Sequence, residues 1–317
     1  MSKISLQLEK EKITFKEVFE RFIYFKQVNN LSEQSLKYYT GCYNNFILHF
    51  PEDSLCENLT PDIVYDFIPF LRERNKQIKD VTVNSYLRGM RAILYFGMER
   101  GYIPEFKLHL IKADKELKEP YTDEELGLLL KKPDIKKCTF VEYRTWVIIN
   151  YFLGTGNRAS TALNLHNEDI RYYDNQIFMR KTKNRKQQLI PLSTSLAKIL
   201  KEYSSYRKGN PDDYLFCTEN GLQLSLRGLQ TSIKFYNSKR GVARTSIHLF
   251  RHRFAKDWIL NGGDMFRLQD ILGHSDLSIV KEYISLYAND LHIQFNEFNP
   301  LEQYLKKTEG ERIILRK

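Results

Sequence analysis

IHLFRHRFAKDWILNGGDMFRLQDILGHSDLSIVKEYISLY, residues 247–287, decides how this chain is read. It gathers His248, Arg251, His274 and Tyr283 into one short stretch. Two cation-capable side chains three residues apart, a further imidazole and a phenol nine residues past it are what attack on a phosphodiester without a metal requires. The spacing predicts a helix starting near Ser246, with His248 and Arg251 on one face, stopped by Asn261-Gly262-Gly263. Asp264 then caps a helix through MFRLQDIL that Gly273 terminates, so His274 falls just beyond a helix end in a tight bend. The next helix carries both Tyr283 and Tyr287. A tyrosine hydroxyl, pKa about 10, is a poor nucleophile until cations stabilise the phenolate or a base takes its proton. Arg251, His248 and His274 are available for that. Helix spacing does not choose between the tyrosines, which are equally well read as packing residues with wet hydroxyls, and HxxR alone also fits a basic surface helix.

Upstream, YFLGTGNRAS puts Arg158 just after a Gly-X-Gly break. A guanidinium fork grips two phosphate oxygens at once, so two arginines can hold the non-bridging oxygens of a pentacoordinate transition state where a metal is absent. In RKTKNRKQQLIPL, residues 180–192, five of the first seven residues are Lys or Arg. One amine there can protonate a leaving 5′-oxygen, and a basic turn touching a phosphate backbone explains any single lysine equally well.

The 317 residues suit two ordinary domains. A net charge of +10, from 49 Lys and Arg against 39 Asp and Glu, argues for a polyanionic partner, and 20 Tyr with 20 Phe offer surfaces that pack on sugars and bases. A mean hydropathy of −0.49 goes with the lack of any long apolar run, which excludes a membrane-spanning helix; MSKISLQLEKEK lacks the apolar core of a signal peptide. A cytoplasmic protein is expected. Cys42, Cys56, Cys138 and Cys217 are scattered without metal-ligand spacing, so reduced thiols are expected rather than a zinc site or disulfides, and no cofactor is implied.

The first hundred residues read as helices. Thr14 with Glu17 forms a capping box, Ser32 caps EQSLKYYTGCYNNFILHF, and Thr60-Pro61 opens DIVYDFIPFLRER. A fourth helix, about Val81 to Arg100, buries Val83, Leu87, Met90, Ile93, Leu94 and Phe96 and leaves Lys79, Arg88 and Arg91 outside. Residues 1–106 therefore make a helical domain and 107–120 a charged, proline-closed linker. Residues 121–290 open with a Thr122–Glu125 capping box and an apolar run, TWVIINYFLG, broken at Gly154 to Gly156. Strands QIFMRK and QQLIPL flank TKNR as a hairpin, DYLFCT precedes the turn pair Asn220-Gly221, and helices resume after Leu224. The fold class is mainly α with a small antiparallel β-sheet. Residues 291–317 form a tail whose apolar face, Leu301, Tyr304 and Leu305, docks on its own domain or elsewhere.

These pieces, in this order, resemble the tyrosine recombinases, the phage-integrase and Xer-type family. The family pattern of an arginine after a TGLR-like break, a hairpin lysine, HxxR, LGH and a tyrosine nine residues on is met by TGNR, TKN, HLFR, LGH and KEY. The resemblance selects Tyr283 over Tyr287 and Lys183 among the hairpin lysines. SEQSLKYYTGCYNNF is similar to the SxxxLxxYxxxxxxF helix of the family's core-binding domain. What the resemblance implies is a two-domain clamp on double-stranded DNA, without metal or cofactor. Tyr283 would form a 3′-phosphotyrosine, Lys183 would be the general acid, Arg158 and Arg251 would hold the phosphoryl oxygens, and His248 and His274 would assist proton transfer. It also implies a homotetramer on two DNA sites exchanging strands through a Holliday junction, the tail packing on a neighbouring protomer, and an accessory directionality factor in some systems.

The chain departs from the pattern at Thr161, where an acidic partner of the first arginine is common, and at Arg253, which adds charge near the site where Thr is frequent. The segment before Thr14 is too short for an arm-binding domain, so direct binding to core sites is expected. Competing readings are a type IB topoisomerase, which shares the chemistry, and a non-catalytic DNA-binding regulator, which explains the charge but not an intact nucleophile with its cations. A metal-dependent nuclease lacks a ligand cluster near the basic set.

Overall fold

Three of the helix starts read from the first hundred residues are realised as side-chain caps. The computed structural model describes residues 12–114, 119–180, 187–273 and 299–301. These fall into two compact units that divide between Leu117 and Lys118.

In the first unit, helix α1 spans Phe15–Val28, and its capping box is complete: Thr14 Oγ1 accepts from the Glu17 amide at 3.3 Å and the Glu17 carboxylate accepts from the Thr14 amide at 2.8 Å. Ser32 caps α2 (Glu33–Phe46), Thr60 caps α3 (Pro61–Arg74), and α4 (Asp80–Glu99) is followed by Gly101 at φ 71°. The second helix stops at Phe46, short of its expected end, and the chain goes on as one further turn in which the amides of His49 and Phe50 both reach the Phe46 carbonyl at 2.9 Å. The expected α4 stripe is buried against Phe15, Phe22, Phe46 and Phe67. Phe46 packs with ring centroids 5.3 Å from Phe15 and 5.1 Å from Phe67. Gly89 sits where a Cβ would lie 2.3 Å from Cys42 Sγ, so α2 and α4 approach closely only because that side chain is missing.

Part of the stretch read as linker is fixed on this unit. Leu108 is buried, its amide donates to Tyr95 Oη at 3.1 Å, and the His109 amide donates to Tyr65 Oη at 3.0 Å. The buried Asn84 side chain donates to and accepts from the Ile111 backbone at 2.8 and 3.0 Å. An amide bonded on both sides replaces a strand partner for an otherwise unpaired segment.

The second unit is built around α6, Phe140–Thr155, with α5 (Asp123–Leu130) ahead of it, launched by the Thr122–Glu125 capping box. The apolar run shows no one-sided period because α6 is enclosed: Val147, Ile148, Ile149, Tyr151 and Phe152 are all buried. The helix runs through Gly154 and ends only at Gly156, whose φ of 63° is left-handed. After the short α7 (Ala159–Ala162) come β1 (Ile170–Arg171), β2 (Gln176–Met179) and β3 (Gln188–Pro191), an antiparallel sheet in that order with Ile177 opposite Ile190. Helices α8 (Thr194–Arg207), α9 (Leu226–Lys239), α10 (His248–Leu260) and α11 (Met265–Leu272) complete the described part. The mainly helical class with a small antiparallel sheet is as read.

DYLFCT is not a strand. Tyr214 and Cys217 make single bridges to His166 and Gln223, and Leu215, Phe216 and Cys217 are buried in succession, where a strand on one face would alternate. The turn after it is present: Gly221 has φ 78° and its amide reaches the Thr218 carbonyl at 3.0 Å.

Candidate active site

The TGNR break is a rigid launch for Arg158. Gly156 reverses the chain, the buried Asn157 side chain donates to Tyr151 Oη at 2.7 Å, and its amide reaches Thr155 Oγ1 at 3.3 Å. Burial pushes the Tyr151 hydroxyl's pKa up, although Asn157 and Thr155 pull the other way, so it remains a neutral partner at working pH. Arg158 then precedes α7, and its half-buried guanidinium donates from Nη1 to the Leu272 carbonyl at 3.4 Å.

Arg251 reaches the same place from α10. Only 2% exposed, it donates from Nη1 to the Gly156 carbonyl at 2.9 Å and from Nη2 to the Leu272 carbonyl at 2.8 Å. Leu272 ends α11, where Gly273 adopts φ 62° as its left-handed cap. The carbonyl end of a helix carries partial negative charge, so the last turn of α11 is a favourable seat for guanidinium groups. Gly156 is required twice there. Its φ is positive, and a Cβ would lie 2.6 Å from Phe254 Cδ1 and 2.7 Å from Leu272 Cδ2.

The start of α10 is held by residues not anticipated from the sequence. Phe250 stacks on the buried Tyr121 ring at 4.3 Å, and Tyr121 Oη donates to the carbonyls of Arg244 and Ser246. His248 is exposed at the first turn of α10, its ring edge-on to His252 at 4.7 Å. Thus His248 and Arg251 share the helix start but differ in depth.

Arg158 and Arg251 are brought together, and His248 lies one turn before Arg251. Lys183, His274 and Tyr283 lie outside the described residues, as do Tyr287 and Tyr304. Two expectations about the departures change. Arg253 does not add charge to the site: Nε donates to Asp257 Oδ2 at 2.7 Å, Nη1 to the Tyr121 carbonyl at 2.9 Å, and Nη2 to Asp123 Oδ1. Thr161 is buried with its amide on the Arg158 carbonyl at 3.0 Å, and the Arg158 head is directed by the Leu272 carbonyl.

Gln188, which the sequence reading passed over, joins the same cluster. It opens β3, and its Nε2 donates to the Asp270 carbonyl and, at 3.4 Å, to that of Ile271. Among the described residues, no group of three or more His, Cys, Asp or Glu is placed to hold a metal ion, and no helix is long and apolar enough to cross a membrane.

Residues 121–290 match the phage integrase family. The chain belongs to that family. The tyrosine recombinase XerD of Staphylococcus haemolyticus is 23% identical over 295 residues, covering 89% of this chain and 98% of its own. XerA of Pyrococcus furiosus is 27% identical over 299 residues, covering 93% and 99%. The fold is that of the XerH site-specific recombinase bound to palindromic difH substrate in a post-cleavage complex, with a TM-score of 0.73 at 20% identity over 90% of this chain and 96% of that one. This chain is accordingly a tyrosine recombinase of the phage integrase family, and in this recombinase the paired arginines sit where α6, α10 and α11 end or begin.

Proposed function

We propose that this recombinase binds double-stranded DNA at specific sites and cleaves and rejoins it through a 3′-phosphotyrosine. The observation that carries the reading is the convergence of Arg158 and Arg251 on the Leu272 carbonyl, at the helix end that precedes His274 in sequence. Tyr283 is the nucleophile: its oxygen bonds to the scissile phosphorus as the bond to the 5′-oxygen breaks. Lys183 gives that oxygen a proton, and His248 and His274 take up the phenolic proton and orient the phosphate. Arg158 and Arg251 stabilise the charge that builds on the non-bridging oxygens. The covalent link stores the bond energy, so rejoining needs no nucleoside triphosphate.

Residues 1–106 serve as the core-binding domain and 121–290 as the catalytic domain, both gripping the duplex directly at core sites. Four protomers on two sites exchange strands through a Holliday junction, with the 291–317 tail packing on a neighbour. The outcome is integration, excision or resolution in the cytoplasm, with an accessory directionality factor where direction must be imposed.

The test is a denaturing gel with labelled DNA from the gene's own neighbourhood, nicked near candidate sites so that the leaving fragment diffuses away. A covalent protein–DNA band that Tyr283→Phe abolishes and Tyr287→Phe retains is expected. Loss with Tyr287→Phe alone would move the nucleophile, and no band on DNA that is bound would favour a regulator.

A further inference from the structure

Helix α10 begins at a residue that cannot cap it. The N-cap is Ile247, whose side chain has no acceptor to offer the first-turn amides that lack an intrahelical partner. The residues ahead of it, 242–246, belong to no helix or strand. The Ser246 carbonyl closes the first turn, accepting from the Leu249 amide at 3.2 Å. That carbonyl and the carbonyl of Arg244 each lie 3.3 Å from Tyr121 Oη, which donates to them. The buried Asn237 side chain completes the hold, donating to the Arg244 carbonyl at 2.7 Å and to Tyr121 Oη at 3.2 Å.

We propose that Tyr121 is a positioning residue for His248, its hydroxyl fixing the point at which α10 starts in place of a side-chain cap. Tyr121 is suited to this because it is gripped along its whole length. Its ring stacks on Phe250 at 4.3 Å, and its own carbonyl accepts from Arg253 Nη1 at 2.9 Å, so one residue spans the loop and the first two turns of α10. Burial pushes the hydroxyl's pKa up, against a smaller pull from Asn237, so the oxygen keeps its proton and stays a donor.

The two site residues on α10 depend on this hold to different degrees. Arg251 is buried and tied by its own bonds to the Gly156 and Leu272 carbonyls, which set its place independently of the helix start. His248 is exposed and lies two residues past Ser246, with its ring edge-on to His252 at 4.7 Å. A helix start that loosens or shifts is therefore felt at the imidazole before it is felt at the guanidinium. Catalytic groups lose efficiency steeply with small displacements, so removing one remote hydroxyl slows cleavage without touching DNA.

The inference rests on the reading of His248 as a participant in cleavage. The experiment is a double-mutant cycle in single-turnover cleavage by the full chain, on a nicked duplex bearing the site that the protein selects from a random-sequence pool. The proteins are the parent, Tyr121→Phe, His248→Ala and the double variant, with Arg253→Thr beside them. Tyr121→Phe keeps the stack on Phe250 and lacks only the hydroxyl. It is expected to cleave about 10-fold more slowly than the parent with DNA affinity unchanged, and to add less than about 2-fold to the loss in the His248→Ala background. Arg253→Thr removes the bond to the Tyr121 carbonyl and leaves the hydroxyl contacts, so its cleavage is expected within about 3-fold of the parent.

A Tyr121→Phe rate within about 2-fold of the parent overturns the proposal, as does a full further 10-fold loss in the His248→Ala background, which means a hydroxyl that serves the fold at large. Equal slowing by Arg253→Thr and Tyr121→Phe traces the loss to stability and overturns it as well. A His248→Ala rate equal to the parent's overturns the reading of His248, and this inference with it. If Tyr121→Phe is unfolded at the assay temperature, Asn237→Ala takes its place in the same cycle, with the same outcomes for and against.

Discussion

Arg158, just ahead of α7, and Arg251, in the first turn of α10, donate to one acceptor, the Leu272 carbonyl, at 3.4 and 2.8 Å. The two are not equivalent. Arg251 is buried and carries a second short bond to Gly156, whereas Arg158 is half-buried and reaches Leu272 at the limit of hydrogen bonding. Substitution should separate folding from catalysis at one of them and not at the other.

Arg158→Ala is expected to melt near the parent temperature and to lose about 100-fold or more in single-turnover cleavage, the scale set by removing one charge-stabilising donor. Arg251→Met is expected to lose cleavage and also about 1–3 kcal/mol of stability, because the Gly156 and Leu272 carbonyls lose a buried donor. Thermal melts beside cleavage rates check both. A stable Arg251→Met protein would contradict the structural half of its role.

Arg253→Thr places the commoner family residue at a position that here binds Asp123, Asp257 and the Tyr121 carbonyl. It is expected to cost about 1–2 kcal/mol, discounted for partial exposure, while cleavage per folded molecule stays within about 3-fold. Active-site titration against melting temperature distinguishes this from a direct catalytic role.

Gly156→Ala should be among the most damaging single-methyl additions in the second unit. The new Cβ meets Phe254 and Leu272 in a left-handed backbone position, at an expected cost of about 2–4 kcal/mol from overpacking and conformation together. Arg251 would be displaced with the Gly156 carbonyl. Gly154→Ala, whose Cβ would meet Leu196 Cδ2 at 3.3 Å in an ordinary helical position, is the control and should retain activity.

Alkaline pH should weaken the first unit. Burial pushes the Cys42 thiol from 9.0 up to about 11, against a smaller opposing pull from Tyr38, and pushes Cys56 up to about 12. Both thiols hold their protons more tightly folded than unfolded. Their contribution is whole below about pH 9, declines above it and is lost as pH rises through about 11 and 12. Circular-dichroism melts from pH 8 to 11 should fall more steeply for the parent than for Cys42→Ala, and parallel curves would count against the assignment.

Binding should be strongly salt-dependent. If on the order of eight phosphates are neutralised, affinity falls by about a thousand-fold or more between about 50 and 200 mM salt. Filter binding across that range checks it, and a flat response would argue against extensive backbone contact.

Much of the fold was legible because its signals are local. Thr14 with Glu17 and Thr122 with Glu125 are start codes read within one helical turn, Asp264 and Gly273 are the start and stop codes of α11, and each is realised. The arginines were legible by residue type and order. What escaped was contact made through the backbone or across long separations. Nothing in Leu272 announces that its carbonyl will seat two guanidinium groups, and nothing in Gln188 announces a partner at Asp270. The two-residue strand at Ile170 is too short to pattern, and DYLFCT resembled a strand in composition although consecutive burial denies it the alternation of one. Arg253 misled for a related reason, since its partners Tyr121 and Asp123 are remote in sequence.

The seat formed by Leu272 belongs to the peptide group, and no codon change can delete it. Drift can replace the leucine with any side chain the core accepts, and the oxygen stays in position as long as α11 still ends at a residue that tolerates a left-handed turn. The heritable determinant of this part of the site is therefore a stop signal rather than a functional group. Engineers seeking to retune the arginine pair would do better to lengthen or shorten α11 by a residue than to substitute position 272.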